Sequence, residues 1–179
     1  MILPCTCSVL LTENNLLCTT IMNEKTSHEY KEVIASCKAL FARKTHDYGT
    51  AWRVLRLSSI TDQIYIKAQR IRSIQDKGTQ KVEDPIRDEF IGIINYCIIA
   101  MIQLKLDESD KMDLTFAELE PLYDAAVNET FELLQNKNHD YAEAWRDMRV
   151  SSMTDIILMK LLRVKQIEDN QGKTLASEG

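Results

Sequence analysis

An all-α fold is predicted: a helical bundle of two tandem-duplicated units with pseudo-twofold symmetry. Three observations predict it. Gly and Pro are scarce, at 5 and 3 of 179 residues, which favours long helices over a turn-rich β architecture. Apolar residues recur at i, i+3, i+4 spacing, and no stretch alternates as a strand. The chain also matches itself when shifted by 93 residues. Lys44, His46, Asp47, Tyr48, Ala51, Trp52 and Arg53 fall on Lys137, His139, Asp140, Tyr141, Ala144, Trp145 and Arg146. Ser58, Ser59, Thr61 and Asp62 fall on Ser151, Ser152, Thr154 and Asp155. Lys67, Arg70, Ile74 and Asp76 fall on Lys160, Arg163, Ile167 and Asp169. Of the 33 positions from 44 to 76, 17 are identical, which establishes a duplication.

The elements follow in order. Residues 1–21 are apolar but lack a basic leader and are broken by Pro4 and by Glu13-Asn14-Asn15, so a signal peptide is not expected. Met22 opens a more polar sequence and is a candidate start, and residues 1–26 are expected to form a poorly ordered N-terminal extension. The first repeat spans 27–106. Its first helix, 27–43, aligns Tyr30, Ile34, Cys37 and Phe41 on one face. A tight turn is expected at His46-Asp47-Tyr48-Gly49, then a short helix around Trp52. Ser59-Ile60-Thr61-Asp62 reads as a capping box opening a helix that Gly78 ends. Pro85 starts the next helix, which runs to Leu106. Residues 107–114 form a polar linker. The second repeat, 115–179, reproduces the pattern at 115–136, 142–149 and 153–170. It has no match to the Pro85 helix, so it is expected to be C-terminally incomplete.

Composition narrows the function. A net charge of −5 argues against broad binding to duplex DNA. Nucleic acid is therefore a disfavoured partner, with single strands on the repeated Trp/Arg set the version that survives. The most apolar run, Phe90–Leu106, contains Gly92, Asn95 and Gln103 and is too short to span a membrane. The 5 Cys have no metal-type spacing beyond Cys5-Thr6-Cys7 and read as reduced thiols of a cytoplasmic protein.

The candidate ligand-binding residues are the polar and aromatic ones kept in both copies. Each has a plainer structural reading beside the functional one. His46 and His139 supply an acid, base or ligand; Asp47 and Asp140 orient it or cap a helix. Tyr48, Trp52, Tyr141 and Trp145 stack on a base or anchor a core. Lys44, Arg53, Lys67 and Arg70, with Lys137, Arg146, Lys160 and Arg163, hold phosphate or form a solvated face. Lys67 and Arg70 are three apart, hence on one helix face. Asp84 and Asp88 are four apart at a helix start and are the candidate Mg²⁺ ligands, although the helix dipole alone favours acids there. Asn95 shares their face within an apolar run and needs a partner, either a ligand or the facing helix.

Lys44-x-His46-Asp47-Tyr48-Gly49-x-Ala51-Trp52, then Lys67-x-x-Arg70, then an acidic helix ending in Asn95-Tyr96, resembles the nucleotide modification associated domain family, once catalogued as a domain of unknown function. The doubled arrangement is similar to the form found in Bacteroides-type bacteria. The resemblance implies a link to nucleotide or DNA-base modification. The acidic helix is also similar in style to the MazG-type all-α nucleoside triphosphate pyrophosphatases. That likeness implies carboxylate-bound Mg²⁺ and hydrolysis of a phosphoanhydride. Asp84 and Asp88 match two of the expected acids, and Gly92 stands at the third.

The sequence thus predicts a protein that binds a nucleotide or nucleotide-derived phosphate ligand, with Mg²⁺ as candidate cofactor and a pyrophosphohydrolase-like reaction as the enzymatic version. The alternative is a non-catalytic helical interaction module whose duplication builds a pseudo-symmetric surface, with a homo-oligomer among its assemblies. A discriminator follows. Convergence of Lys67, Arg70, Asp84 and Asp88 on an open cleft favours the ligand; mutual pairing without a cavity favours the module.

Overall fold

The computed structural model describes residues 7–107 and 111–175, with side chains from residue 24 onward. The order is α1 (Cys7–Tyr48), a 3₁₀ turn (Ala51–Val54), α2 (Leu57–Lys77) and α3 (Ile86–Lys105). Then come α4 (Phe116–Tyr141), a second 3₁₀ turn (Ala144–Asp147) and α5 (Val150–Asp169). The fold is all-helical among the described residues, as the periodicity predicts. Of the expected extension, residues 1–6 lie outside those described, and the backbone of 7–26 belongs to α1.

The helix ends follow local chemistry, with two corrections to the sequence reading. His46-Asp47-Tyr48 is the last turn of α1 rather than a separate tight turn. The reversal comes at Gly49, whose φ of 58° is left-handed and whose N–H donates to the Thr45 carbonyl at 2.9 Å. In the second copy Ala142 and Glu143 take left-handed φ values of 46° and 58°, a conformation that disfavours side chains. The second correction concerns the capping box. At 59–62 it does not form, because α2 already starts at Leu57 and Ser59 and Thr61 lie inside it. A capping box does form at α4. Thr115 Oγ1 accepts from the Glu118 N–H at 3.4 Å, and Glu118 Oε2 accepts from the Thr115 N–H at 2.8 Å. Gly78 ends α2 as expected, at φ 63°, with its N–H on the Ile74 carbonyl.

α3 is the central helix, packed against α1, α2 and α4. Its Ile98, Ile99 and Ile102 meet Ile60, Ile64, Ala68 and Ile71 of α2, together with Phe41 and Tyr123, in one core cluster. Ile60, Ile71 and Ile102 are wholly covered, each contributing about 1.5–3 kcal/mol of burial. Cys37 of α1 is buried, whereas Cys97, on the same kind of apolar pattern, is exposed. Phe41 packs on the Tyr123 ring at 5.0 Å between centroids.

The pseudo-twofold axis passes between equivalent helices: α1 packs on α4, and α2 on α5. Two reciprocal sets of bonds mark it. Thr61 donates to Glu168 at 2.8 Å, and Gln75 donates to Thr154, the equivalent threonine, at 3.1 Å. Arg72 pairs with Asp155 at 3.3 Å, and Lys165, at the equivalent position, pairs with Asp62. The repetition of Thr61/Thr154 and Asp62/Asp155 is thereby explained as an inter-copy seam. No helix follows α5 among the described residues.

Candidate functional site

Two adjoining cavities open where the end of α1, the first 3₁₀ turn, α2 and α3 meet. The first, of about 350 Å³, is largely apolar and aromatic: Leu40, Phe41, Tyr48, Ala51, Trp52, Tyr96 and Ile99, with Lys44, Thr45, Gly49, Lys67, Gly92 and Asn95. The second, of about 530 Å³, is charged: Arg43, Lys44, Lys67, Asp84, Arg87, Asp88 and Glu89, with Ser36, Ala39, Leu40, Ile91 and Gly92. Leu40, Lys44, Lys67 and Gly92 line both, so the two form one bipartite cleft.

Lys67 stands at the waist of this cleft because residue 92 has no side chain. A Cβ on Gly92 would lie 2.9 Å from Lys67 Cε and 3.1 Å from Nζ. Lys67 Nζ donates to Glu89 Oε2 at 3.1 Å, and Arg70 donates to the other carboxylate oxygen. Burial alone would raise the Glu89 carboxyl, but the bonds from Lys67 and Arg70 outweigh it and hold it below the usual carboxylate range. Glu89 is therefore an ionised acid spoken for by two cations. Arg70 reaches the cleft only through it and also donates to the Asp84 carbonyl.

Asp84 and Asp88 are exposed on the wall of the charged cavity. Among the described residues no group of three or more His, Cys, Asp or Glu is placed to hold a metal ion. With Glu89 engaged, these two aspartates are the carboxylates left at the cleft. That donor set fits Mg²⁺, which is commonly held by one or two carboxylates plus waters and ligand phosphate oxygens.

Lys44, Tyr48, Trp52, Lys67 and Asn95, all expected from the sequence, meet at the first cavity. Asn95 finds the partner it needs on the facing helices. Its Nδ2 donates to the Cys37 carbonyl at 3.0 Å and its Oδ1 accepts from the Tyr123 hydroxyl at 3.0 Å. Each amide end makes one bond, and together they join α1, α3 and α4. Arg53 is displaced from the expected phosphate site. It is buried, donating to Gln103 Oε1 at 3.0 Å and the Asp107 carbonyl at 3.1 Å, and it lines neither cavity. His46 and Asp47 face solvent, 3.3 Å apart, and the same exposed pair recurs at His139 and Asp140 at 3.2 Å.

The second-copy residues line neither cavity. Lys137, Tyr141 and Lys160 are exposed, and Arg163 is half-buried on α5. Arg146 bonds Glu143 at 2.6 Å and Glu29 at 2.7 Å, and its guanidinium lies 4.5 Å over the Trp145 ring. Trp145 Nε1 donates to Asn138 Oδ1 at 3.0 Å. In the first copy, where Thr45 and Thr50 stand in place of Asn138 and Glu143, Trp52 Nε1 and Arg53 Nε are buried without a partner among the described residues. A buried unpaired donor costs about 1–3 kcal/mol. Arg43 and Arg87 were not among the expected residues, since neither has a cationic counterpart in the second copy.

Fold and cleft define a duplicated all-helical protein whose two copies have diverged, with one bipartite cleft built by the first. The chain belongs to the nucleotide modification associated domain 1 family, whose model matches residues 44–104 and again 137–179. No curated protein matches the chain, and no solved structure does. Among the described residues no helix is long and apolar enough to cross a membrane.

Proposed function

We propose that the first copy binds a nucleotide, with the base in the apolar cavity and the phosphates in the charged one. The adjacency of the two cavities, which share Leu40, Lys44, Lys67 and Gly92, carries this reading. A nucleotide has the same polarity, a flat aromatic end joined to an anionic tail. Tyr48, Trp52 and Tyr96 supply aromatic wall for the base. Lys44 and Lys67 stand at the junction, where the first phosphate would fall, and Arg43 and Arg87 lie further along. The family's description, a domain associated with nucleotide modification, points the same way.

Asp84 and Asp88 would hold Mg²⁺ against the phosphates. When bound, the ion would neutralise phosphoryl charge and lower the barrier to attack by water on a phosphoanhydride. The chain's own contribution is the placing of Lys67: Gly92 leaves room for it, and Glu89, paired with it in the empty cleft, would compete with the phosphate for its ammonium. Calorimetric titration with ATP, GTP, CTP and UTP, with and without Mg²⁺, tests the binding. Phosphate or pyrophosphate release tests the hydrolysis. Binding strengthened by Mg²⁺ and weakened by Lys67→Ala is the expected result. No heat and no thermal shift with any nucleotide would remove the reading.

That outcome would favour a non-catalytic module. The reciprocal α2–α5 seam is the observation on its side, since it accounts for part of the repeated polar set without a ligand.

A further inference from the structure

The two tryptophans occupy equivalent positions yet differ in one respect. Trp145 Nε1 is satisfied within its own copy by Asn138 at 3.0 Å. Among the described residues Trp52 Nε1 has no partner, and the residue equivalent to Asn138 is Thr45. Both Trp52 and Thr45 line the apolar cavity. The second copy has thus paired its indole donor internally, and the first has left it covered and unpaired at a residue that lines a cavity.

We infer that the Trp52 N–H is a ligand-binding donor, which reads a hydrogen-bond acceptor on the edge of a nucleobase. The inference rests on the nucleotide reading and narrows it. It assigns recognition of the base to the first copy alone and makes the ligand a heteroaromatic nucleotide rather than any polyphosphate. The N–H is covered while the cavity is empty, so meeting a ligand requires a slight shift of the Trp52 ring or the Gly49–Thr50 turn. The unpaired donor favours that shift, because it gains a partner only when the ligand presents one. Stacking alone would hold any base, whereas a donor at its edge distinguishes the base from the phosphate tail.

The test grafts the second copy's solution onto the first. Thr45→Asn offers Trp52 an internal acceptor, and Trp52→Phe keeps an aromatic ring while removing the donor. Affinity is measured by calorimetry for whichever of ATP, GTP, CTP and UTP binds tightest, and for inorganic tripolyphosphate, with Tm recorded for each variant. Both variants are expected to weaken the nucleotide about tenfold and leave tripolyphosphate unchanged. Thr45→Asn is also expected to raise Tm, and Trp145→Phe to leave nucleotide affinity as it was. A Thr45→Asn protein with raised Tm and unchanged affinity would overturn the inference, as would a Trp52→Phe protein that binds like the parent. Either result leaves nucleotide binding itself standing. Failure of the parent chain to bind any nucleotide would instead sink the nucleotide reading and this inference together.

Discussion

Replacing Glu89 by Gln should weaken the fold and strengthen the ligand, two effects of opposite sign from one change. Glu89's side chain is 11% exposed and takes bonds from Lys67 and Arg70, which are 28% and 26% exposed. Gln keeps the shape and one acceptor, so roughly one charge-assisted bond of about 1.5–3 kcal/mol is lost. The partly solvated cations recover some of this from water. A net loss of about 1.5 kcal/mol lowers Tm by about 3–6 °C for a chain of this size. At the cleft the same change removes a negative charge from beside Lys67. A carboxylate about 5 Å from a bound phosphate, at an effective dielectric of about 20, repels it by about 3 kcal/mol before salt screening. Screening by roughly half leaves about tenfold tighter binding of a nucleoside triphosphate. Differential scanning fluorimetry and calorimetry at two salt concentrations measure both effects. A lowered Tm with unchanged or weaker binding would refute the placement of phosphate at Lys67.

The other perturbations separate structure from site. Tyr123→Phe strips the buried Asn95 Oδ1 of its partner and should cost about 1–3 kcal/mol in chemical denaturation with little effect on ligand, marking Asn95 as structural. Gly92→Ala should cut nucleotide affinity several-fold with a small change in Tm. The new Cβ would meet the flexible end of Lys67 at 2.9 Å and push it from the waist; unchanged affinity would show that the ligand does not use that position. Stability should also fall on acidification. The Glu89 and Glu143 carboxyls are held below their ordinary value of 4.5, and Glu118 is held down to about 2 by the Lys111 ammonium and by Thr115. Groups depressed on folding contribute stability above the unfolded pKa and lose it as pH falls through the folded one, here between about 4.5 and about 2. Glu118→Gln should flatten that decline in thermal melts; a slope identical to the parent's would deny the shift.

The helices and the duplication were legible because they rest on periodicity and self-similarity, which tertiary context rarely overrides. Ile60, Ile64, Ala68 and Ile71 mark their own buried stripe. Gly49 was legible as a turn residue, but its role as a helix stop depends on where α1 ends, which local sequence does not specify. The site was legible only in part. Repetition picked out Lys44, Tyr48, Trp52 and Lys67, which do meet at the cleft, but it also picked out Arg53, which is bonded to Gln103. Repetition reports what both copies keep, and both copies keep an internal frame as well as whatever binds. The same filter hid Arg43 and Arg87, which only the first copy carries. Differences between copies proved as informative as identities. Thr45 against Asn138 sets an unpaired donor against a paired one.

The most direct test of the bipartite cleft is a structure of the chain with the nucleoside triphosphate that binds it tightest. The base should lie against Trp52 and Tyr48 of the first copy, with the first phosphate at Lys44 and Lys67 and the tail running toward Asp84 and Asp88. A nucleotide seated on the second copy, or one with its phosphates at the exposed His46 and Asp47 and the cleft empty, would contradict the account.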